Sequence, residues 1–154
     1  MNANDTKKTG SVQVDVQIPV KQPGTIVWRS LFEQTAVWWP ADYYATSHPS
    51  CMVFEPTLGG QLYEEAESGA AVLWYTVIAI EPLLSINLAG HIAPPFGGPA
   101  TSLLRIELES ASETSSLIRI SDSVFGCIDT STQQRIFEGW TTIFTSAKMF
   151  IEAN

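Results

Sequence analysis

The C-terminal segment carries the feature that most constrains this chain. Ile136, Trp140, Ile143, Phe144, Ala147 and Ile151 recur at helical spacing and form one broad apolar stripe. Gln133, Arg135 and Lys148 lie off it. Ser131 followed by Gln134 fits a capping box, which places the helix start there. A helix with so wide an apolar face must bury it against a second layer.

That layer is written in strands. Val12-Gln13-Val14-Asp15-Val16-Gln17-Ile18 alternates apolar and polar residues without a fault, the pattern of a strand with one wet face. Pro19 ends it. Pro23 suits the first turn of a helix over Gly24 to Gln34, with Val27, Trp28, Leu31 and Phe32 at helical spacing. Val37-Trp38-Trp39-Pro40 closes the helical region, because a residue before proline resists the α conformation. Further strands are predicted at Cys51–Glu55, Gln61–Glu67, Val72–Glu81, Leu84–Gly90, Ser102–Glu109 and Leu117–Phe125. Consecutive strands of this kind pair as antiparallel hairpins. Ala93-Pro94-Pro95-Phe96-Gly97-Gly98-Pro99 between them reads as a loop.

Composition narrows the class. With 154 residues the chain suits one domain, and 45% hydrophobic against 16% charged residues excludes a disordered polymer. The polar, basic residues 1–11 are expected to form a disordered tail ahead of a single domain over 12–154. A net charge of −8 repels phosphate backbones and anionic bilayers, so neither nucleic acid nor membrane is an expected partner. The longest apolar run, Ala70 to Ile80, is far short of the roughly twenty residues that span a bilayer. The N-terminus shows no apolar core of a secretory signal, and a cytoplasmic location is expected. Cys51, Cys127, His48 and His91 lack metal-ligand spacing, so no metal and no cofactor is expected.

Val27-Trp28, Trp38-Trp39-Pro40, Gly59-Gly60, Ile80-Glu81-Pro82, Ser123-Val124-Phe125-Gly126 and Gly139-Trp140 follow one another in this order of elements, between Val12 and Glu152. Through them the chain resembles the START/SRPBCC superfamily, the helix-grip fold, and within it the branch of activators of the heat-shock protein 90 ATPase. The resemblance implies an α+β fold: a seven-stranded curved antiparallel sheet gripping a long C-terminal helix, with two short helices between strands 1 and 2. It also implies a cavity between sheet and helix. In the implied topology the second strand flanks the first, Cys51 and Cys127 fall at opposite ends, and both thiols stay free.

Aromatic residues make up 10% of the chain, and many sit at helix–sheet junctions. Trp38, Trp39, Trp74, Phe125, Trp140 and Phe144 are candidate walls of a ligand pocket, with core packing as the competing role. Phe96, one bulky side chain amid Gly and Pro, is a candidate lid and ligand contact. Tyr43, Tyr44 and His48 are placed near the same opening, and Glu64 joins them if it shares the face of Leu62 and Ala66. Asp122 alternates with Ile118, Ile120 and Val124, which turns its carboxyl inward and should raise its pKa. Many members of the resembled superfamily carry histidine there. Asp122 is thus a candidate ligand-binding and catalytic residue, and His91 a second catalytic candidate. The Val72–Glu81 strand is apolar on both faces, so one face can serve a homodimer.

No nucleophile elbow, P-loop or dinucleotide fingerprint is present. Binding of a hydrophobic small molecule between sheet and helix is therefore the leading expectation. A cyclase- or dehydratase-type enzyme using the same cavity is the alternative, and a co-chaperone-like regulator of the heat-shock protein 90 ATPase comes third.

Overall fold

The alternation that starts at Val12 runs on both sides of its predicted limits. In the computed structural model, which describes residues 7–154, β1 covers Lys8–Val20 and buries Val14, Val16, Ile18 and Val20. The expected tail is thus corrected from Lys8 onward: Lys8 to Ser11 pair with Ile128 to Phe125 of the last strand. Backbone pairing asks nothing of side-chain polarity, so the composition of this stretch hid the strand. The remainder of that tail, residues 1–6, lies outside the described residues. Pro19 sits inside β1 rather than ending it, because β1 is an edge strand where a missing N–H is tolerated.

Two short helices follow, α1 (Gly24–Glu33) and α2 (Thr35–Trp38), then a 3-10 turn at Ala41–Tyr43. The strands are β2 (Ser50–Phe54), β3 (Gln61–Ala66), β4 (Ala71–Glu81), β5 (Ser85–Ile92), β6 (Ala100–Ser112) and β7 (Ser115–Ile128). They form one curved antiparallel sheet of seven strands in the order β1-β7-β6-β5-β4-β3-β2. The sheet is open. β2 lies at the edge opposite β1 rather than beside it, because the helical segment after β1 carries the chain across to the far edge. Cys51 and Cys127 are free thiols.

The final helix, α3 (Thr132–Ala153), is about 33 Å long by its rise per residue and packs most closely along β1. Ile143, Phe144, Ala147 and Ile151 of its stripe are buried. Its start departs from the expected capping box. Ser131 makes no side-chain cap bond. Instead the Asp129 carboxylate accepts from the Ser131 amide (2.9 Å), the Ser131 hydroxyl (2.7 Å) and the Thr132 hydroxyl (3.1 Å). These bonds hold the Asp129 carboxyl down at about 2. A negative group before the first turn also suits the helix dipole.

β4 carries two irregularities that decide what faces the interior. Leu62 pairs with Tyr75 and Tyr63 with Leu73, which leaves Trp74 as an extra residue; a second shift falls between Val77 and Ala79. Each bulge flips the face of the residues beyond it. The single alternation expected for Val72–Glu81 is corrected accordingly: Trp74 and Tyr75, adjacent in sequence, both turn inward, while Leu73 and Ile78 are half-exposed. Gly90 of β5 leaves room for the first bulge. A Cβ there would lie 2.1 Å from the Trp74 carbonyl oxygen and 2.9 Å from the Tyr75 ring. Gly90→Ala should therefore cost about 2 kcal/mol or more in urea unfolding. An unchanged midpoint would contradict the bulge geometry.

Candidate functional site

Where the N-terminal half of α3 crosses the sheet, side chains do not fill the space. Ile136, Gly139, Trp140 and Ile143, one face of the helix, roof a half-open cavity of about 240 Å³. Leu62, Trp74, Tyr75, Ile92, Asp122 and Val124 form its floor and walls from the sheet. Trp39, Tyr43 and Phe96 come from the two loop regions and complete the rim. Gly139 matters by its smallness: a Cβ there would meet the Tyr43 ring at an ordinary contact distance of 3.7 Å, and a larger side chain would extend into the cavity that Gly139 lines.

Two buried carboxylates shape the site by holding indoles. Asp122 is 3% exposed, and its Oδ2 accepts a 2.8 Å hydrogen bond from the Trp140 indole N–H. Its Oδ1 accepts a 2.6 Å bond from the Ser102 hydroxyl, which lies 2.7 Å from the Tyr75 hydroxyl. This chain ties β4, β6 and β7 to α3. Burial pushes the Asp122 carboxyl above the usual carboxylate range despite the bonds from Ser102 and Trp140. Burial and then the Asp122 charge push the Tyr75 phenol up as well.

Glu64 of β3, fully buried, plays the matching part on the other side. Its Oε2 accepts from the Trp74 indole N–H at 2.8 Å and its Oε1 from the Thr46 amide at 2.5 Å. Burial raises its pKa, but these donors outweigh it and hold the carboxyl below its ordinary value. Phe96 meets the Trp74 ring edge-on at 5.4 Å. With both indole N–H groups turned onto carboxylates, the two rings offer the cavity carbon surface.

Of the expected site residues, Trp39, Trp74, Phe96, Asp122 and Trp140 come together here. Trp38 and Phe144 do not. They line a separate void of about 30 Å³ under α1, where the Trp38 indole donates to the Ser30 carbonyl (2.9 Å) and Phe144 backs Trp140. Phe125 is corrected from pocket wall to surface. Val124 takes the inward position beside Asp122, and strict alternation leaves Phe125 46% exposed on the other face. His91, the second catalytic candidate, lines a shallow depression on the outer face together with Phe125, is exposed, and contacts the Thr101 hydroxyl at 3.1 Å. Its place within β5 turns it away from the cavity. Tyr43 reaches the cavity. Tyr44 accepts from the Met52 amide, and His48 packs on Tyr44 and bonds the Ala41 carbonyl, so neither lines it.

Sequence reasoning missed Tyr75, Ser102 and Gly139. Ser102 could have been found, because it continues the inward parity of Leu104, Ile106 and Leu108. Tyr75 could not, since no local signal reports the bulge.

Comparison with solved structures places this geometry in a known architecture. An uncharacterised protein from Rhizobium leguminosarum matches with a TM-score of 0.71 at 17% identity, over 96% of this chain and 99% of that one. Ara h 8.0201 matches with a TM-score of 0.69 at 14% identity, over 94% and 100% of the two chains. The Aha1 dimer from Colwellia psychrerythraea matches with a TM-score of 0.62 at 16% identity, over 92% and 96%. No protein-family model and no curated protein sequence matches the chain. Among the described residues no helix is long and apolar enough to cross a membrane.

The two carboxylates should respond to acid in opposite directions. Asp122 has a folded pKa above its unfolded value of 3.8, so its contribution is full below 3.8 and is lost as pH rises through the folded value. Glu64 has a folded pKa below 4.5, so its contribution is full above 4.5 and is lost as pH falls through the folded value. Urea unfolding from pH 3 to 7 checks this. The advantage of the native chain over Glu64→Gln should shrink as pH falls, and its advantage over Asp122→Asn should grow. Parallel curves would contradict the assignment. The seven-stranded curved sheet packed against α3, taken with the matches, gives the chain the helix-grip fold.

Proposed function

We propose that the cavity between the sheet and α3 binds a compact hydrophobic small molecule. The observation that carries this reading is the unfilled space itself. Protein interiors are packed to crystal density, yet six aromatic rings surround about 240 Å³ here. That is a little under the span of drug-sized pockets and suits a guest of one or two rings. Its walls are almost wholly carbon. The likeness to Ara h 8.0201 and to the Aha1 dimer supports the fold on which the reading rests. A cytoplasmic setting agrees with the two free thiols.

Asp122 favours a second reading, an enzyme of cyclase or dehydratase type. A carboxyl raised by burial and facing an apolar cavity is suited to moving a proton at a bound substrate. Asp122→Asn would then abolish turnover while leaving guest affinity, whereas a pure binder has no turnover to lose.

Native mass spectrometry of freshly purified protein tests the main reading, with naphthalene titration by tryptophan fluorescence beside it. A noncovalent hydrophobic adduct and saturable naphthalene binding are expected. Gly139→Leu should abolish both while the helix content is kept, because it fills the roof of the cavity rather than breaking the fold. Trp140→Ala should lower naphthalene affinity by more than it lowers stability. Naphthalene bound equally well by Gly139→Leu, or not bound at all by the native chain, would overturn the reading.

A further inference from the structure

We propose that the guest is a lipophilic cation, whose positive charge rests against Asp122 among the surrounding rings. The inference rests on the binding role proposed above and adds the chemical class of the ligand.

Among the described residues Asp122 is the one aspartate or glutamate lining the cavity, and no lysine, arginine or histidine lines it. Among the described residues no ion pair includes Asp122. Both of its donors are neutral. The Trp140 indole N–H can only donate, which fixes Oδ2 as an acceptor, and the Ser102 hydroxyl donates to Oδ1. As a carboxylate Asp122 accepts both bonds and keeps one acceptor direction on each oxygen. A buried charge is ordinarily paired. This one has neutral hydrogen bonds and an open cavity in front of it.

The rest of the lining suits a cation rather than merely tolerating one. Trp39, Trp74 and Trp140, with Tyr43, Tyr75 and Phe96, surround the space in front of Asp122. Aromatic faces attract cations through their quadrupole, indoles most strongly, and the attraction grows when water is excluded. Trp74 and Trp140 are held by Glu64 and Asp122, so these faces are in place before a guest arrives. A chain of net charge −8 also raises the local concentration of cations and disfavours fatty acids or sulfonates.

The test compares benzyltrimethylammonium with neopentylbenzene, the same shape with carbon in place of the charged nitrogen, on the native chain by calorimetry. The ammonium should bind at least about tenfold more tightly. Asp122→Asn, checked by its melting transition, should remove that preference, read as the ratio of the two affinities in the same variant. Equal or tighter binding of neopentylbenzene to the native chain overturns the cation assignment and leaves the hydrophobic site standing. Retention of the preference in Asp122→Asn overturns the role of the carboxylate. Failure of both probes to bind the native chain removes the binding role together with the inference.

Discussion

The hydrogen bond from the Trp140 indole to Asp122 is the contact on which the site depends. It crosses from α3 to β7, and Ser102 and Tyr75 extend it across β6 to β4. Helix-on-sheet packing alone would let α3 settle until the gap closed. A buried acceptor that needs an indole donor at 2.8 Å sets the distance instead, because leaving either group unpaired would cost about 1–3 kcal/mol. Glu64 repeats the device at Trp74, so two opposed indoles are fixed by their polar edges.

That arrangement uses backbone irregularity as well as side chains. The β4 bulge turns Trp74 and Tyr75 inward together, which doubles the aromatic surface a single strand can offer, and Gly90 accommodates the displaced carbonyl. A buried carboxylate, a bulged central strand and an unfilled interior each lower stability. Their coincidence in one place fits the binding role proposed for this cavity.

Much of this could be read from the sequence, and the failures have physical causes. The alternations of β1, β6 and β7, the α3 stripe and the inward turn of Asp122 follow from period-2 and period-3.6 patterns, and they held because burial enforces them. The resemblance to the helix-grip fold anticipated the seven-stranded sheet and the long helix. It misplaced β2, since hydrophobic pattern says nothing about which edge a strand joins. Lys8 to Ser11 hid in β1 because pairing there is backbone-only. Phe125 was placed on the wrong face despite an alternation that already assigned it outward, and His91 was read as lying beyond a strand that in fact includes it. Trp38 and Phe144 show the limit of aromatic counting: they are buried, but against each other and the adjoining core. The Ser131 capping box lost to Asp129, whose carboxylate is the stronger acceptor.

The most direct measurement is the indole N–H signal of Trp140 in nitrogen-15-labelled protein, followed by hydrogen exchange and during titration with a cavity probe. A tether to Asp122 facing a cavity predicts slow exchange for Trp140 and a shift on probe binding, while Trp38, bonded to the Ser30 carbonyl outside the cavity, does not move. Exchange at Trp140 as fast as at a solvent-exposed indole, or a probe response at Trp38 alone, would contradict the account.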